Sequence, residues 1–370
     1  MDVLIVCEYY PPYIGGVEVV FKNVAERLNK RGHNVHVVTS RLPEYDKYEV
    51  RNGVTVHRVP VTTRADRVSF AASAIPKTIS LARESDIIHT TTWFAPIASA
   101  VARTITGTPA VMTYHESLTN AYDQSNKPLL SRIGASILEN VISVLPFDSY
   151  TAVSNSTKKE IEERGLGTDV SVIYNGINEE LFTSSDVNPY PRHLNGHIFL
   201  YYGRPGFSKG VDYLIKGFER MKEKGESDNA YLYMILSDEP QQRYETLLQQ
   251  IKSSPVSEDI IVQDPVSREN LPQYIDYADT VVVPSLSEGF GFTAAEACSV
   301  GTPVITTNAG SLPEVVNGEH IIVEPQSATA LAQALEKATQ EEFVVSPNKT
   351  FSWEETIEQY LMEYQSVLNT

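Results

Sequence analysis

Two carboxylates, Glu288 and Glu296, bracket the segment Pro284-Ser-Leu-Ser-Glu-Gly-Phe-Gly-Phe-Thr-Ala-Ala-Glu296. An apolar run at 280–283 precedes it, and the residues from Phe292 onward read as a helix. Gly289 and Gly291 flank Phe290 and permit a tight turn that aims backbone N–H groups outward. Phe292 and Thr293 then open the helix, where N–H groups lack an intrahelical acceptor and the helix dipole favours an anion. A carboxylate repels a phosphate, so the two glutamates are expected to hold hydroxyls on either side of one. Hydroxyl, phosphate, hydroxyl is the layout of a nucleotide sugar: ribose, diphosphate, hexose. The pattern points to glycosyl transfer. The plainer alternative is a solvated helix start that favours Glu.

A second cluster complements the first. Tyr201-Tyr-Gly-Arg-Pro-Gly-Phe-Ser-Lys-Gly210 also runs from strand through loop to helix. Arg204 supplies a planar fork and Lys209 a point charge, so the pair can hold one anionic centre. A diphosphate leaving group gains charge as its glycosidic bond breaks, and fixed cations stabilise that charge. Surface cations beside a glycine turn are the alternative. Gly15 and Gly16 follow the first apolar strand and stand at a helix entry, where they allow a phosphate or sugar to approach the backbone. The same dipeptide also makes an ordinary turn. His115 ends the strand 110–114, where ligand-facing residues of such sheets sit. A lone histidine is equally a structural one.

No Asp-x-Asp pair, zinc-spaced Cys/His cluster, Walker A pattern or Gly-x-Gly-x-x-Gly run occurs. No metal is therefore expected, with Arg204 and Lys209 in its place. The 370 residues exceed one typical core, so two domains are expected. Only Cys7 and Cys298 occur, both in apolar surroundings, which argues for a reducing compartment over a disulfide framework. The N-terminus lacks a basic region and a long apolar run, and no stretch approaches a membrane span. A cytoplasmic location is expected. Net charge is −17, and residues 1–180 hold 18 Lys+Arg against 20 Asp+Glu, leaving 12 against 27 for the rest. The acidic second half disfavours nucleic acid. The near-neutral first half, with Arg51, Arg58, Arg64, Arg67 and Lys77, is compatible with a peripheral contact at the inner membrane face.

The elements that must position these residues alternate throughout. Apolar runs at 2–7, 34–39, 55–60, 87–89, 110–114, 149–153 and 170–173 read as strands, with helices at 16–31, 75–84, 94–106 and 129–144. The last is apolar at Ile133, Ile137, Val141 and Val144, which fits one helix face. The second half repeats the scheme with strands at 197–202, 230–236, 260–263, 280–283, 303–306 and 321–323. This alternation reads as α/β, a doubly wound parallel sheet built twice around a deep cleft. The linker falls at 178–195, interrupted by Pro189 and Pro191. The expected domains are 1–185, joined by a last helix at 352–370, and 190–350.

With these residues in hand, the chain resembles the GT-B glycosyltransferases of family 4, a retaining group. The matching pieces run in the family's order: Pro-Pro-Tyr-Ile-Gly-Gly-Val-Glu18, Thr-Tyr-His115, Val172-Ile-Tyr-Asn-Gly-Ile, Gly203-Arg, Lys209-Gly, Pro284 to Glu296, Gly301-Thr-Pro-Val, Gly310-Ser-Leu-Pro-Glu314 and Phe351-Ser-Trp. The resemblance implies two Rossmann-like domains. It implies a UDP-, GDP- or ADP-sugar donor, and a glycan or lipid-linked acceptor. Arg204 and Lys209 would hold the diphosphate beside Gly203. Glu288 would contact the sugar and Glu296 the ribose, while the turn through Gly289, Phe290 and Gly291 and the N–H groups of Phe292 and Thr293 would contact phosphate. Gly15 and Gly16 would close over the diphosphate, His115 would lie near the transferred sugar, and Val266 would border the base. Ser237-Asp-Glu-Pro stands where the family often has a glycine turn. The implied mechanism is front-side attack with retention. A GT-B epimerase and a noncatalytic nucleotide-sugar-binding protein are the rival readings.

Overall fold

The computed structural model describes residues 1–13, 15–43, 45–62, 66–117, 129–166, 169–225 and 229–370. Among these, 1–176 and Trp353–Thr370 form one unit and Ile177–Ser352 the other. Arg64 lies outside the described residues.

In the first unit the order is β1 (Asp2–Val6), α1 (Gly16–Lys30), β2 (Asn34–Arg41), β3 (Tyr48–Arg51), β4 (Val54–Pro60), α2 (Asp66–Ala82), β5 (Ile87–Thr91), α3 (Ala95–Thr106), β6 (Ala110–Tyr114), α4 (Leu129–Ser143), β7 (Ser149–Ala152), α5 (Asn155–Glu163) and β8 (Ser171–Val172). The sheet runs β3-β4-β2-β1-β5-β6-β7-β8. All pairings are parallel except β3 with β4. Val3 to Val6 are wholly buried, as a continuous apolar run in a sheet covered on both faces requires. The α1 helix buries Val20, Phe21, Val24, Ala25 and Leu28, a spacing of three and four that makes one stripe. Ser154 caps α5 by accepting from the Thr157 N–H.

Within the second unit come β9 (His197–Gly203), α6 (Val211–Glu223), β10 (Ala230–Leu236), α7 (Gln241–Ser253), β11 (Ile260–Gln263), α8 (Leu271–Asp276), β12 (Thr280–Val283), α9 (Phe292–Val300), β13 (Val304–Thr307), α10 (Leu312–Val315), β14 (Gly318–Val323), α11 (Ala328–Thr339) and β15 (Val344–Ser346). Its sheet order is β11-β10-β9-β12-β13-β14-β15, with only β15 antiparallel. Each sheet reverses its winding once, between β1 and β5 in the first and between β9 and β12 in the second. Ligands of open α/β sheets bind at the carboxyl ends of the strands flanking such a reversal.

The α12 helix (Trp353–Leu368) returns to the first unit. A Cβ on Gly176 would stand 2.3 Å from the Trp353 backbone nitrogen, so only glycine admits this approach. Tyr360 and Tyr364 are wholly buried. The Tyr364 hydroxyl meets His89 Nδ1 at 2.6 Å, and His89 Nε2 meets the Thr113 hydroxyl at 2.7 Å. Burial, and secondarily His115, pushes the His89 imidazole down to about 3. The unfolded imidazole titrates near 6.5. The unfolded state therefore binds the extra proton between these values, and the stability that His89 contributes is present above about pH 6.5 and lost as pH falls toward 3. We expect His89→Gln to flatten the acid side of a stability–pH profile by up to about 1.4 kcal/mol per pH unit. Denaturant melts at pH 7 and pH 5 check this, and an unchanged slope refutes it.

Two helices add detail to the expected elements. The helix 129–144 forms, but Ile133, Ile137, Val141 and Val144 are 47%, 59%, 44% and 78% exposed. Its buried side instead presents Ala135, Glu139 and Ile142, with Glu139 paired to Arg164 at 3.2 Å. Periodicity shows that apolar residues share a face, not which face the sheet covers. The helix at 75–84 is the second half of the longer α2, which contains Pro76. The edge strands β3 and β15 fall outside the expected alternation because both are short and mostly exposed.

Candidate active site

The winding reversal of the second sheet gathers the residues singled out by type and spacing. The β9 strand ends in Gly203, and the following loop passes Arg204 and a single 3-10 turn, Phe207–Lys209. Gly210 ends that turn in the left-handed region (φ 65°), where a Cβ would stand 2.0 Å from the Pro284 carbonyl oxygen. The Leu286 N–H donates to the Ser208 carbonyl at 2.6 Å. The loop after β9 is thus stitched to the loop after β12. Arg243 supports it from behind: Nε donates to the Pro205 carbonyl at 3.1 Å, the guanidinium lies 4.1 Å from the Phe207 ring centroid, and Nη2 pairs with Asp212.

This stitching brings Lys209 Nζ to 2.6 Å from Glu288 Oε1. The same carboxylate oxygen accepts from the Ser285 hydroxyl at 2.8 Å. The Glu288 backbone is fixed as well, since its carbonyl accepts from the Ser311 N–H at 3.1 Å and the Ser311 hydroxyl at 3.2 Å. Gly310 makes room for this contact. Its φ is +56°, and a Cβ there would stand 2.1 Å from the Glu288 oxygen. Arg204 is exposed, and its carbonyl accepts from the buried Tyr201 hydroxyl at 2.9 Å.

Gly291 enters α9 at φ 88° and provides no side-chain cap. The first intrahelical bond runs from the Ala295 N–H to the Gly291 carbonyl at 3.1 Å, so the N–H groups of Phe292 and Thr293 have no acceptor within the helix. Gly289 and Phe290 lie in the turn before it, with Phe290 buried between Phe292 and Phe351 at centroid distances of 5.1 and 5.3 Å. Glu296 is 2% exposed. Its carboxylate accepts from the Tyr202 hydroxyl at 3.1 Å and pairs with Arg268. Burial pushes the Glu296 carboxyl up, while Arg268 and Tyr202 favour the ionised form. Arg268 is absent from the expectations. It stands two residues past Val266 at the carboxyl end of β11, and its guanidinium lies 4.7 Å from the Phe182 ring centroid. A cation in a loop at the carboxyl edge of the sheet was the available signal.

The expected residues of the first unit have other surroundings. Gly15 is extended (φ −159°), and the Glu18 carboxylate lies over it, 2.2 Å from the place of a Cβ. Gly16 is open, with nothing within 4 Å of such a Cβ. The N-terminus of α1 therefore carries a carboxylate of its own. His115 is 8% exposed, its ring centroid is 5.7 Å from that of Phe21, and Nε2 has no hydrogen-bond partner. Burial pushes this imidazole down to about 3, so it is neutral at physiological pH.

With this geometry in place, the comparisons are informative. Residues 14–181 match the family model for Glycosyltransferase Family 4, and residues 183–352 match that for Glycosyl transferases group 1. Together they span nearly the whole chain. The chain belongs to glycosyltransferase family 4. Two relatives match along nearly the whole of this chain. One is an uncharacterized glycosyltransferase, MJ1607, of Methanocaldococcus jannaschii, 27% identical, covering 98% of this chain and 97% of that one. The other is the phosphatidylinositol N-acetylglucosaminyltransferase GPI3 subunit of Saccharomyces cerevisiae, 24% identical, covering 100% and 84%. The structure of Anabaena Alr3699/HepE in complex with UDP and glucose superposes with a TM-score of 0.76 at 18% identity, over 99% and 100% of the two chains. The two doubly wound sheets are thus those of a GT-B glycosyltransferase. No helix among the described residues is long and apolar enough to cross a membrane, and no group of three metal-binding side chains occurs among them.

Proposed function

We propose that this family 4 glycosyltransferase moves a hexose from a nucleotide diphosphate sugar to an acceptor hydroxyl, with retention at the anomeric carbon and without a metal. The observation that carries the reading is the 2.6 Å contact between Lys209 and Glu288 at the winding reversal. A glycosidic bond joins the leaving phosphate to the sugar, so a ligand for each must be a neighbour of the other. Lys209, with Arg204 in the same loop, neutralises the charge that gathers on the departing diphosphate. Glu288 accepts from sugar hydroxyls, with Ser285 holding its carboxylate. The first turn of α9 offers Phe292 and Thr293 N–H groups to phosphate. Glu296 takes the ribose hydroxyls, and Val266 and Arg268 border the base.

With Glu288 committed to hydroxyls and Lys209, no second carboxylate of the site is placed as a nucleophile. The departing phosphate oxygen is then the base that takes the acceptor proton, on the face it leaves. The UDP and glucose bound by HepE and the phosphatidylinositol named in the yeast relative support a nucleotide sugar donor and a lipid-linked or glycan acceptor at the inner membrane face. A thermal-shift screen of UDP-, GDP- and ADP-sugars in EDTA tests the donor class, with one base expected to raise the melting temperature in saturable fashion. No shift with any of them refutes the reading. NMR of the transfer product then decides the stereochemistry, and inversion overturns the front-side mechanism.

A further inference from the structure

The α4 helix buries a narrow side and leaves a broad apolar one open. Ala135 and Ile142 pack with Met112, Tyr114 and Ala152 of the first sheet, and Arg164 holds the buried Glu139 carboxylate. The opposite side carries Leu129, Ile133, Ile137, Val141 and Val144, between 44% and 78% exposed. Steps of four, four, four and three residues put them in one stripe about 22 Å long. Single apolar side chains on a surface are ordinary, whereas a contiguous patch marks an interaction site. Each of the five leaves on the order of 100 Å² open, so one stripe amounts to roughly 500 Å² and two to about 1,000 Å², the size at which specific interfaces begin.

We propose that this stripe is the contact of a homodimer, in which the α4 helices of two copies pack antiparallel across a two-fold axis near Ile137. The stripe reads nearly the same from either end. Leu129 and Ile133 stand eight and four residues before Ile137, and Val141 and Val144 stand four and seven after it. A two-fold contact must be self-complementary, with residue i of one copy on residue j of the other and the reverse. Ile133 of one copy then meets Val141 of the other, and Leu129 meets Val144, so every position of the stripe finds an apolar mate. Residues 129, 133, 137 and 141 also form a single i, i+4 ridge, and ridges of this kind on two helices interdigitate. Gly134 lies exposed beside that ridge with nothing within 4 Å of a Cβ, which leaves a groove for side chains of the other copy. Charge argues against a lipid surface as the occupant. Helices that lie on membranes carry Lys and Arg along the polar face. Leu129–Ser143 has one arginine, one glutamate and no lysine, so it offers an anionic lipid surface no net attraction. The same neutrality lets two copies meet without like-charge repulsion. The contact involves no residue assigned to the donor and is independent of the transfer reaction.

The test uses the full-length protein in sedimentation velocity and light scattering over micromolar concentrations. A mass near twice the 41.1 kDa of one chain is expected. Ile137→Glu puts a new carboxylate on each side of the axis, and like charges so juxtaposed should raise the dimer dissociation constant about 100-fold or more. Ile105→Glu, at a position 56% exposed on α3, should remain dimeric. Ile137 is 59% exposed in the single chain, so Ile137→Glu should keep the far-UV circular dichroism of the wild type. A second variant decides the matter should that spectrum change. Ile137→Cys, oxidised with copper phenanthroline, should give a disulfide-linked dimer through the two introduced thiols, and the wild type should not, since Cys7 is buried and Cys298 lies in the other unit. A wild-type monomer throughout, a dimer that survives in a folded Ile137→Glu, dissociation in Ile105→Glu, or no cross-link in Ile137→Cys each overturns the proposal. So does a monomer that co-sediments with phosphatidylcholine vesicles and loses them in Ile137→Glu, which would give the stripe to lipid.

Discussion

Lys209→Ala is expected to lower turnover about 10²- to 10³-fold, the cost of removing one preorganised donor from a developing anion. The fold should hardly notice. Lys209 and Glu288 are 36% and 14% exposed, and a partly exposed pair contributes at most about 1 kcal/mol. The large loss in rate with a small loss in stability is the signature of a charge that acts mainly in the transition state. Glu288→Gln separates the two partners. It keeps the shape and hydrogen-bonding reach of the side chain but withdraws the anion that holds Lys209 and, in the proposed mechanism, the sugar hydroxyls. Its loss should therefore depend on the donor sugar, whereas that of Lys209→Ala should be the same for every sugar on the preferred base. Steady-state kinetics with two sugars on one nucleotide decide the matter. Wild-type turnover in Lys209→Ala removes the diphosphate assignment.

Gly310→Ala is expected to damage stability and activity together. The residue sits at φ +56°, where an L side chain costs roughly 1–2 kcal/mol. The added Cβ would stand 2.1 Å from the Glu288 carbonyl oxygen, and relief of that overlap must move backbone rather than a flexible side-chain end. Overpacking of this kind costs a further 1–3 kcal/mol or so. A melting temperature lower by roughly 4–20 °C follows for a unit of this size. Whatever backbone moves also carries Glu288 away from Ser311 and Lys209, so residual turnover of the folded fraction should fall as well. Gly301→Ala provides the control: its φ is +92°, but nothing lies within 4 Å of its Cβ. It should lose stability through backbone strain alone and keep its rate. A Gly310→Ala enzyme with normal kinetics would show that the Ser311 turn does not set Glu288.

The geometry at the winding reversal of the second sheet was legible because each of its parts is a local pattern. Strand, glycine turn and helix start follow one another in sequence at both Arg204–Lys209 and Glu288–Glu296, and β9 and β12 happen to be sheet neighbours. The Lys209–Glu288 contact itself depends on that neighbourhood and on the Leu286–Ser208 bond, which no single stretch contains. The pairing of Arg268 is hidden for a related reason: its partner Glu296 lies 28 residues away on another element. The exposed stripe on α4 shows a different limit. Its sequence pattern is that of a core helix, yet Ala135 and the ion-paired Glu139 face inward.

The return of α12 to the first unit has a consequence for building hybrids of this enzyme. A chain built of two units invites recombination between relatives. A single crossover near residue 177 would take the last helix from the wrong parent. Tyr360 and Tyr364 would then meet a foreign His89 and Thr113, and Trp353 would press on a residue other than Gly176 wherever the parents differ. The exchangeable cassette is therefore an interior one, bounded on both sides, with two joints at Gly176/Ile177 and Ser352/Trp353. A hybrid made with both joints should keep the buried His–Tyr–Thr layer of its host, and one made with a single joint should not.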